Sequence, residues 1–187
     1  YGTIDATPLF LILMSRQARW TGDLDLFREL RVPVERALHW IDKYGDVAGD
    51  GYVSYLSNTN KGLINQGWKD SGDALVTEDG RFAEPPIALA EVQGYVYMAK
   101  REIADLYERI GEREYATRLR AEARALRARF NHDFWIEEEG CYAMALEAGH
   151  RPCRVMSSNP GQALWTGIVD EDKAGRLVQR LMKPDLF

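Results

Sequence analysis

Two long helical periods that meet at one glycine constrain this fold more than any other feature of the sequence. Apolar residues recur between 85 and 110 and again between 112 and 131, the second set being Tyr115, Leu119, Ala123, Leu126 and Phe130. This spacing is typical of amphipathic α-helices. Pro85 and Pro86 are expected to open the first helix, and Gly111 to close it. So short a turn between two helices predicts an antiparallel helical hairpin.

Other segments show weaker but consistent patterns. A proline near the first turn and a dense apolar run predict a helix that is buried on most of its sides over about residues 7–21, ending at Gly22. Alternation in "YVSYL" predicts a short strand, and "FWIEEEGCYAMALE" predicts a β-hairpin that turns at Gly140. Further helices are expected at 23–30, at 33–45, at about 162–168 and from about 170 onward.

The segment from 46 to 84 lacks helix signals and is rich in glycine. Irregular stretches of this length are usually functional in compact domains. Helix pairs joined by tight turns, with long connections between the pairs, are the pattern of a toroid of helical hairpins whose long loops share one face. We therefore predict an all-α fold, a partial toroid with a small β-hairpin, in one domain that spans 1–187.

Composition argues against several classes of function. Hydrophobic residues at 45 % and charged residues at 28 % are typical of a globular protein, and a net charge of -5 disfavours a nucleic-acid partner. The longest apolar run, "PLFLILM", is too short for a membrane span of about 20 residues. Cys141 and Cys153 lack zinc or redox spacing, so reduced thiols in a cytoplasmic protein are expected. The start at Tyr1, without methionine, suggests a piece of a longer protein.

The stretch "NQGWKDSGDA" places Asp70 two residues after Trp68 in a segment that resembles neither a helix nor a strand. A carboxylic acid that donates a proton near neutral pH needs a raised pKa, and an apolar neighbour raises it by desolvation. Sugars also stack on aromatic rings while their hydroxyls bond to acids. Asp70 is therefore a candidate general acid, with Trp68 shaping its surroundings. The alternative is that Asp70 or Asp73 caps a helix that begins near Ser71.

A resemblance favours the first alternative. The stretches "YGTIDATPLF", "GDGYVSY", "GLINQGWKDSGDA", "PPIALAEVQGYVYMA" and "SSNPGQALWTGI" resemble, in order and over nearly the whole chain, the amylo-α-1,6-glucosidase-like, glycogen-debranching group of (α/α)6-toroid glycoside hydrolases. The combination of "NQGWKDS" with "EVQGYVY" is the most specific part. The resemblance implies that Asp70 is the general acid and that Asp5, Glu91 and Gln93 line the sugar subsite.

Two of these residues compete for the subsite. Glu91 and Gln93 are two residues apart on a helix, so they cannot both point at one ligand, and Glu91 is favoured. Asp5 is alternatively an N-cap of the helix that follows it. Tyr52, Tyr55 and Trp165 are either sugar platforms or core aromatics.

No metal or other cofactor is expected. Asp46, Asp50 and Gly51 partly resemble a calcium loop, but Ala48 and Ser57 stand where ligands would be needed, so a glycine-rich turn is favoured. The three histidines show no ligand spacing.

Toroid glycosidases of this kind use a second carboxylate as general base, and no motif for it is found in this sequence. Half of a ring is therefore expected, and the resemblance implies an inverting hydrolase of α-linked glucosyl units in oligosaccharides or glycogen-like glucans, with the base outside these residues. The alternatives are another α-glucosidase, a trehalase-like toroid hydrolase, or a non-catalytic carbohydrate-binding half-domain. The exposed inner helices of an open half-ring are expected to favour self-association.

Overall fold

A computed structural model describes residues 2–57 and 62–186 of the chain. It confirms a mostly helical fold with a small β-hairpin. The helices are α1 (Ala6–Thr21), α2 (Asp25–Glu29), α3 (Arg31–Lys43), α4 (Ala90–Arg109), α5 (Arg113–Asp133), α6 (Asn159–Thr166) and α7 (Glu171–Leu181), followed by a 3-10 turn at Pro184–Leu186. The strands are β1 (Ala88–Leu89), β2 (Trp135–Ile136), β3 (Cys141–Tyr142), β4 (Ala145–Glu147) and β5 (Arg151–Cys153). No helix in the described ranges could cross a membrane.

The predicted helical hairpin is formed by α4 and α5. Lys100 bonds to Glu122 at 2.8 Å, and the rings of Tyr107 and Tyr115 lie 4.4 Å apart, so the two helices run antiparallel. Gly111 closes the turn between them with a φ of 89°. The start of the first helix was predicted wrongly. The Pro85–Pro86 peptide is cis and precedes a backbone bridge between Tyr55 and Ile87, and α4 begins only at Ala90.

Helix α4 is the centre of the fold, with α1, α5 and α6 packed around it. Every residue from 90 to 100 is buried. The buried state predicted for the 7–21 helix is only half right. One face of α1 packs on α4, whereas Leu13 and Trp20 on another face are 67 % and 90 % exposed. Apolar density therefore predicted a largely interior helix for the wrong segment, because the long run of buried residues, 90–100, lies in α4.

The β structure exceeds what the sequence predicted. The hairpin at Gly140 is present as β2 and β3, with Trp135 opposite Tyr142. A second, three-stranded antiparallel sheet of order β1-β4-β5 was not predicted. The predicted strand at 52–56 is wrong, because only Tyr55 forms a bridge there. As predicted, 46–84 is mostly irregular where the structure describes it.

A close approach of α4 and α6 gives a prediction for stability. A Cβ atom at Gly94 would lie 2.6 Å from Oγ1 of the buried Thr166. We expect Gly94→Ala to lower the free energy of unfolding by about 1–3 kcal/mol, because the helices would have to separate. Gly175→Ala in α7 is the matched control. Its Cβ meets no atom within 4 Å, so alanine should stabilise the helix by about 0.5–1 kcal/mol. Urea unfolding of both variants measures the difference, and equal effects would contradict it.

Candidate functional site

The loop that carries Asp70 is held in place from three sides. The hydroxyl of Tyr55 donates to Asn65 Oδ1 at 2.9 Å, and Asn65 Nδ2 donates to the carbonyl of Ser71 at 2.5 Å. The backbone N–H of Ile4 donates to the carbonyl of Gln66 at 2.9 Å, which joins the loop to the segment before α1. A Cβ at Gly67 would lie 2.5 Å from Leu89 Cδ1, so glycine lets the loop approach β1 closely.

This arrangement brings predicted site residues together. Asp5, Trp68 and Asp70 line one open depression with a volume of about 420 Å³. Leu9 and Leu63 supply apolar parts of its wall. Two carboxylates beside an aromatic ring and apolar side chains can bind the hydroxyls and the C–H faces of a sugar at the same time.

Asp70 is an exposed residue in this depression. The apolar enclosure expected from Trp68 is not found in the described part of the chain, because the Trp68 side chain is itself 56 % exposed. The helix-cap alternative also fails. No helix begins at Ser71 in the described segment 62–86, where the N–H of Ala74 instead closes a turn on the carbonyl of Ser71 at 3.1 Å.

Asp5 lies just before α1, and only 5 % of it is exposed. Its backbone carbonyl accepts the N–H of Leu9 at 3.1 Å, as an N-cap residue does, but its side chain makes no capping hydrogen bond. The carboxylate accepts the hydroxyl of Thr3 instead. The side chain is thus available to the depression rather than used to cap the helix.

Glu91 lies behind Trp68 and not on the wall of the depression. Its carboxylate is fully buried at the start of α4. Oε1 accepts the indole N–H of Trp68 at 3.0 Å and the amide of Asn159 at 2.7 Å. Oε2 has no hydrogen-bond partner among the residues that the structure describes.

The electrostatic environment of Glu91 is unusual for a core residue. Burial raises the pKa of the Glu91 carboxyl, and hydrogen bonds from its own N–H, from Asn159 and from Trp68 oppose this rise. The charge of Lys69 opposes it as well. A buried carboxyl with one unpaired oxygen beside a cleft is more typical of functional sites than of cores.

Gln93 and Tyr52 lie elsewhere, and both are fully buried. The Gln93 amide accepts the N–H of Val53 at 3.0 Å and donates to the carbonyls of Val53 and Leu89 at 2.8 and 2.9 Å. The Tyr52 hydroxyl donates to Asp133 at 2.7 Å. Both residues border a separate cavity of about 350 Å³ between α3, α4 and α5. Their polar groups hold loop 46–57 to the helices, so we assign them no sugar contact.

Three residues of the site were not singled out as site residues from the sequence. Lys69 Nζ donates to Asn159 Oδ1 at 2.5 Å and lies 5.2 Å from the Trp68 ring centroid. Tyr95 packs against Trp165 with ring centroids 6.0 Å apart, and burial together with the nearby charges of Glu91 and Asp5 raises the pKa of Tyr95. Asn159 precedes a proline at the start of α6, and this pattern is typical of an ordinary helix start. The local sequence does not indicate that Asn159 contacts Lys69 and Glu91.

The glycine-rich loop at 46–51 is organised by a single side chain. The carboxylate of Asp46 accepts the N–H groups of Gly49, Asp50 and Gly51 at 2.6, 3.1 and 2.8 Å. Within the described residues no group of histidine, cysteine or acidic side chains could hold a metal ion.

Comparisons with known proteins give fold similarity only. No protein-family model matches the chain, and no curated protein does. A rhamnosidase from Klebsiella oxytoca with rhamnose bound is similar with a TM-score of 0.70 at 16 % identity, over 98 % of this chain and 31 % of that one. A GH78 family rhamnosidase of Bacillus sp. GL1 is similar with a TM-score of 0.71 at 17 % identity, over 97 % of this chain and 17 % of that one.

The chain therefore spans less than a third of either neighbour. Sequence identities of 16 % and 17 % show a shared fold, but they do not show which reaction this chain takes part in. GH78 rhamnosidases are (α/α)6-toroid proteins. The two neighbours therefore support a toroid fold, but they do not support the glycogen-debranching family that was predicted from the sequence. The chain has the fold of a helical-hairpin segment of such a toroid.

Proposed function

We propose that the chain is part of the catalytic domain of a glycoside hydrolase that acts on α-linked glucosyl units, with Asp70 as the general acid. The observation that carries this proposal is the depression that Asp5, Trp68 and Asp70 line together. The toroid fold supports the reaction class, and the resemblance of "NQGWKDS" and "EVQGYVY" to debranching enzymes supports the glucosyl substrate. The mechanism would be inverting, with a general base that lies outside these residues.

The proposed roles follow from position. The Asp70 carboxyl, exposed on the depression, would protonate the leaving oxygen. Asp5 would accept sugar hydroxyls, and the Trp68 ring would contact the C–H face of the ring. An α-glucan oligosaccharide would thus be the partner, and because the general base is proposed to lie outside these residues, the chain alone should bind this partner and not cleave it.

Rhamnosides are a second candidate substrate. The two structural neighbours are described as rhamnosidases, and one has rhamnose bound. The depression itself favours neither sugar, since carboxylates and an indole ring suit both.

One experiment separates these candidates. A longer protein that contains these residues is incubated with isomaltose, panose, maltotriose, trehalose and p-nitrophenyl rhamnoside, and released glucose and rhamnose are measured. We expect glucose from the α-1,6 linkages and no rhamnose. Rhamnose release alone would replace the glucosyl proposal. The 187-residue chain by itself should show no turnover, and robust hydrolysis by it would place a base within these residues.

Self-association is part of the proposal. Leu13 and Trp20 leave an apolar face of α1 exposed, and surfaces of this kind are usually covered by other protein. A purely monomeric chain in sedimentation at high concentration would contradict this part without affecting the proposed chemistry.

A further inference from the structure

The indole of Trp68 is exposed on one side and anchored to the protein interior on the other. More than half of the side chain is exposed, yet its N–H donates to the carboxylate of the fully buried Glu91 at 3.0 Å. A tryptophan on a surface loop can otherwise rotate about two side-chain torsions. A hydrogen bond to an acceptor that is fixed on the central helix restricts this rotation, so Trp68 keeps one orientation beside the depression.

The acceptor is itself held by a residue from a distant part of the chain. Asn159, at the start of α6, donates to the same Oε1 atom of Glu91 at 2.7 Å. The carbonyl oxygen of its amide accepts Lys69 Nζ at 2.5 Å. Lys69 is next to Trp68 in sequence and its ammonium lies 5.2 Å from the indole centroid. We call Lys69, Glu91 and Asn159 the Trp68 bracket.

The bracket surrounds a ring that lines the depression, while Glu91 does not line it. The bracket also uses buried polar groups that would otherwise be unfavourable in the core, since only 1 % of Asn159 is exposed and one oxygen of Glu91 lacks a partner among the described residues. The same Oε1 atom of Glu91 thus joins α6 to α4 through Asn159 and the loop to α4 through Trp68.

We propose that Glu91 and Asn159 are positioning residues that fix the indole of Trp68 as one wall of the sugar site, and that Glu91 acts on a bound sugar through Trp68 and not by contact. This inference rests on the proposed function of the depression. A ligand binds more tightly to an aromatic side chain that is already ordered, because binding then costs less conformational entropy.

The first arm of the test needs no sugar. The five tryptophans give five indole N–H resonances in a ¹⁵N-labelled chain, and Trp68→Phe identifies the one from Trp68. Glu91→Ala and Asn159→Ala are expected to shift this resonance and to speed its exchange with water. Glu91→Gln should keep exchange slow, because the glutamine oxygen still accepts both donors. A Trp68 resonance that is unchanged in Glu91→Ala would overturn the positioning role.

The second arm measures the dissociation constant of isomaltotriose for the 187-residue chain. Glu91→Ala should weaken binding by about tenfold, and Glu91→Gln by less than about twofold. If Glu91 contacts the sugar directly, the loss of affinity in Glu91→Ala should not depend on Trp68, which would overturn the proposal. In a Trp68→Phe background Glu91→Ala should add no further loss, because residues that act as one unit are not additive. A full additional loss there would also overturn it.

The chain contains a matched control pair. The indole N–H of Trp135 donates to the exposed carboxylate of Glu137 at 2.5 Å, away from the depression. Glu137→Ala should move the Trp135 resonance and leave isomaltotriose binding unchanged, and weakened binding in this variant would count against a specific role for Glu91. Absence of binding by the wild-type chain to both isomaltotriose and rhamnose would reject the proposed function, and the indole resonance would still decide whether Glu91 orients Trp68.

Discussion

Asp70→Asn is expected to lower kcat by about 10²- to 10⁴-fold in the longer protein that we propose, on substrates with poor leaving groups. Asparagine keeps the size of the side chain but cannot donate a catalytic proton. The Asp70 side chain is exposed, and no described hydrogen bond depends on it, so folding and KM should change little. A substrate with an activated leaving group needs less protonation, so its loss should be smaller. Steady-state kinetics on both substrate types measure the contrast.

Asp73→Asn is the matched control for this prediction. Asp73 is exposed in the same loop but does not line the depression. Its substitution should therefore leave kcat within about twofold. Small and equal effects of the two substitutions would remove Asp70 from the mechanism.

Glu147→Gln is expected to cost about 2–3 kcal/mol of unfolding free energy near neutral pH. The Glu147 carboxylate is buried and accepts two bonds from Arg81 at 2.9 and 2.7 Å. It also accepts Arg151 Nε at 3.1 Å and the backbone N–H of Glu84 at 2.7 Å. A glutamine offers one acceptor oxygen and turns a donor toward the two cations. Urea unfolding measures the loss.

The unfolding free energy lost in Glu147→Gln should depend on pH in a defined way. The hydrogen bonds from Arg81, opposed by burial, lower the pKa of Glu147 from 4.5 to about 2. A carboxyl whose pKa is lowered by folding stabilises the protein above its unfolded pKa, and this contribution is lost as the pH falls through the folded value. The stability difference between wild type and Glu147→Gln should therefore be constant above about pH 5 and shrink from pH 4.5 toward pH 2.

The exposed partner of the same arginines provides the control. Glu84 pairs with Arg151 at 2.8 Å at the surface, where ion pairs contribute about 1 kcal/mol or less. Glu84→Gln should thus have a small effect with little pH dependence. A Glu147→Gln loss that is no larger, or that persists unchanged at pH 2.5, would contradict the assigned role.

Helical periodicity predicted the helices because the apolar face of a helix is formed by residues that lie close together in the sequence. Gly22 and Gly111 ended helices as expected, and the turn at Gly140 was placed correctly. The three-stranded sheet was missed because its strands have only two or three residues, too few to show a period, and β1 pairs with a strand far along the chain. Pro85 and Pro86 were misread because their typical place at a helix start does not exclude an extended segment before it.

The site was predictable only in part, for a related reason. Asp5, Trp68 and Asp70 could be proposed from residue type and family resemblance. Spacing along α4 showed that the side chains of Glu91 and Gln93 point in different directions. It did not show that both side chains are buried, Glu91 behind Trp68 and Gln93 beneath loop 46–57. Such roles depend on partners that the fold brings from distant parts of the sequence, and no local pattern contains that information.

The hydrogen bonds of Asn159 also bear on how the molecule assembles as it is synthesised. Helices α4 and α5 meet through a turn of three residues, and contacts so near in sequence form early. The loop with Trp68 depends on Asn159, which follows Lys69 by 90 residues and Glu91 by 68. Because the chain leaves the ribosome from its N-terminal end, the helical hairpin can fold while Asn159 is still untranslated. The depression beside Trp68 is thus expected to become ordered later than the α4–α5 hairpin, because the hydrogen bonds behind its indole need a residue that is translated 68 positions after Glu91.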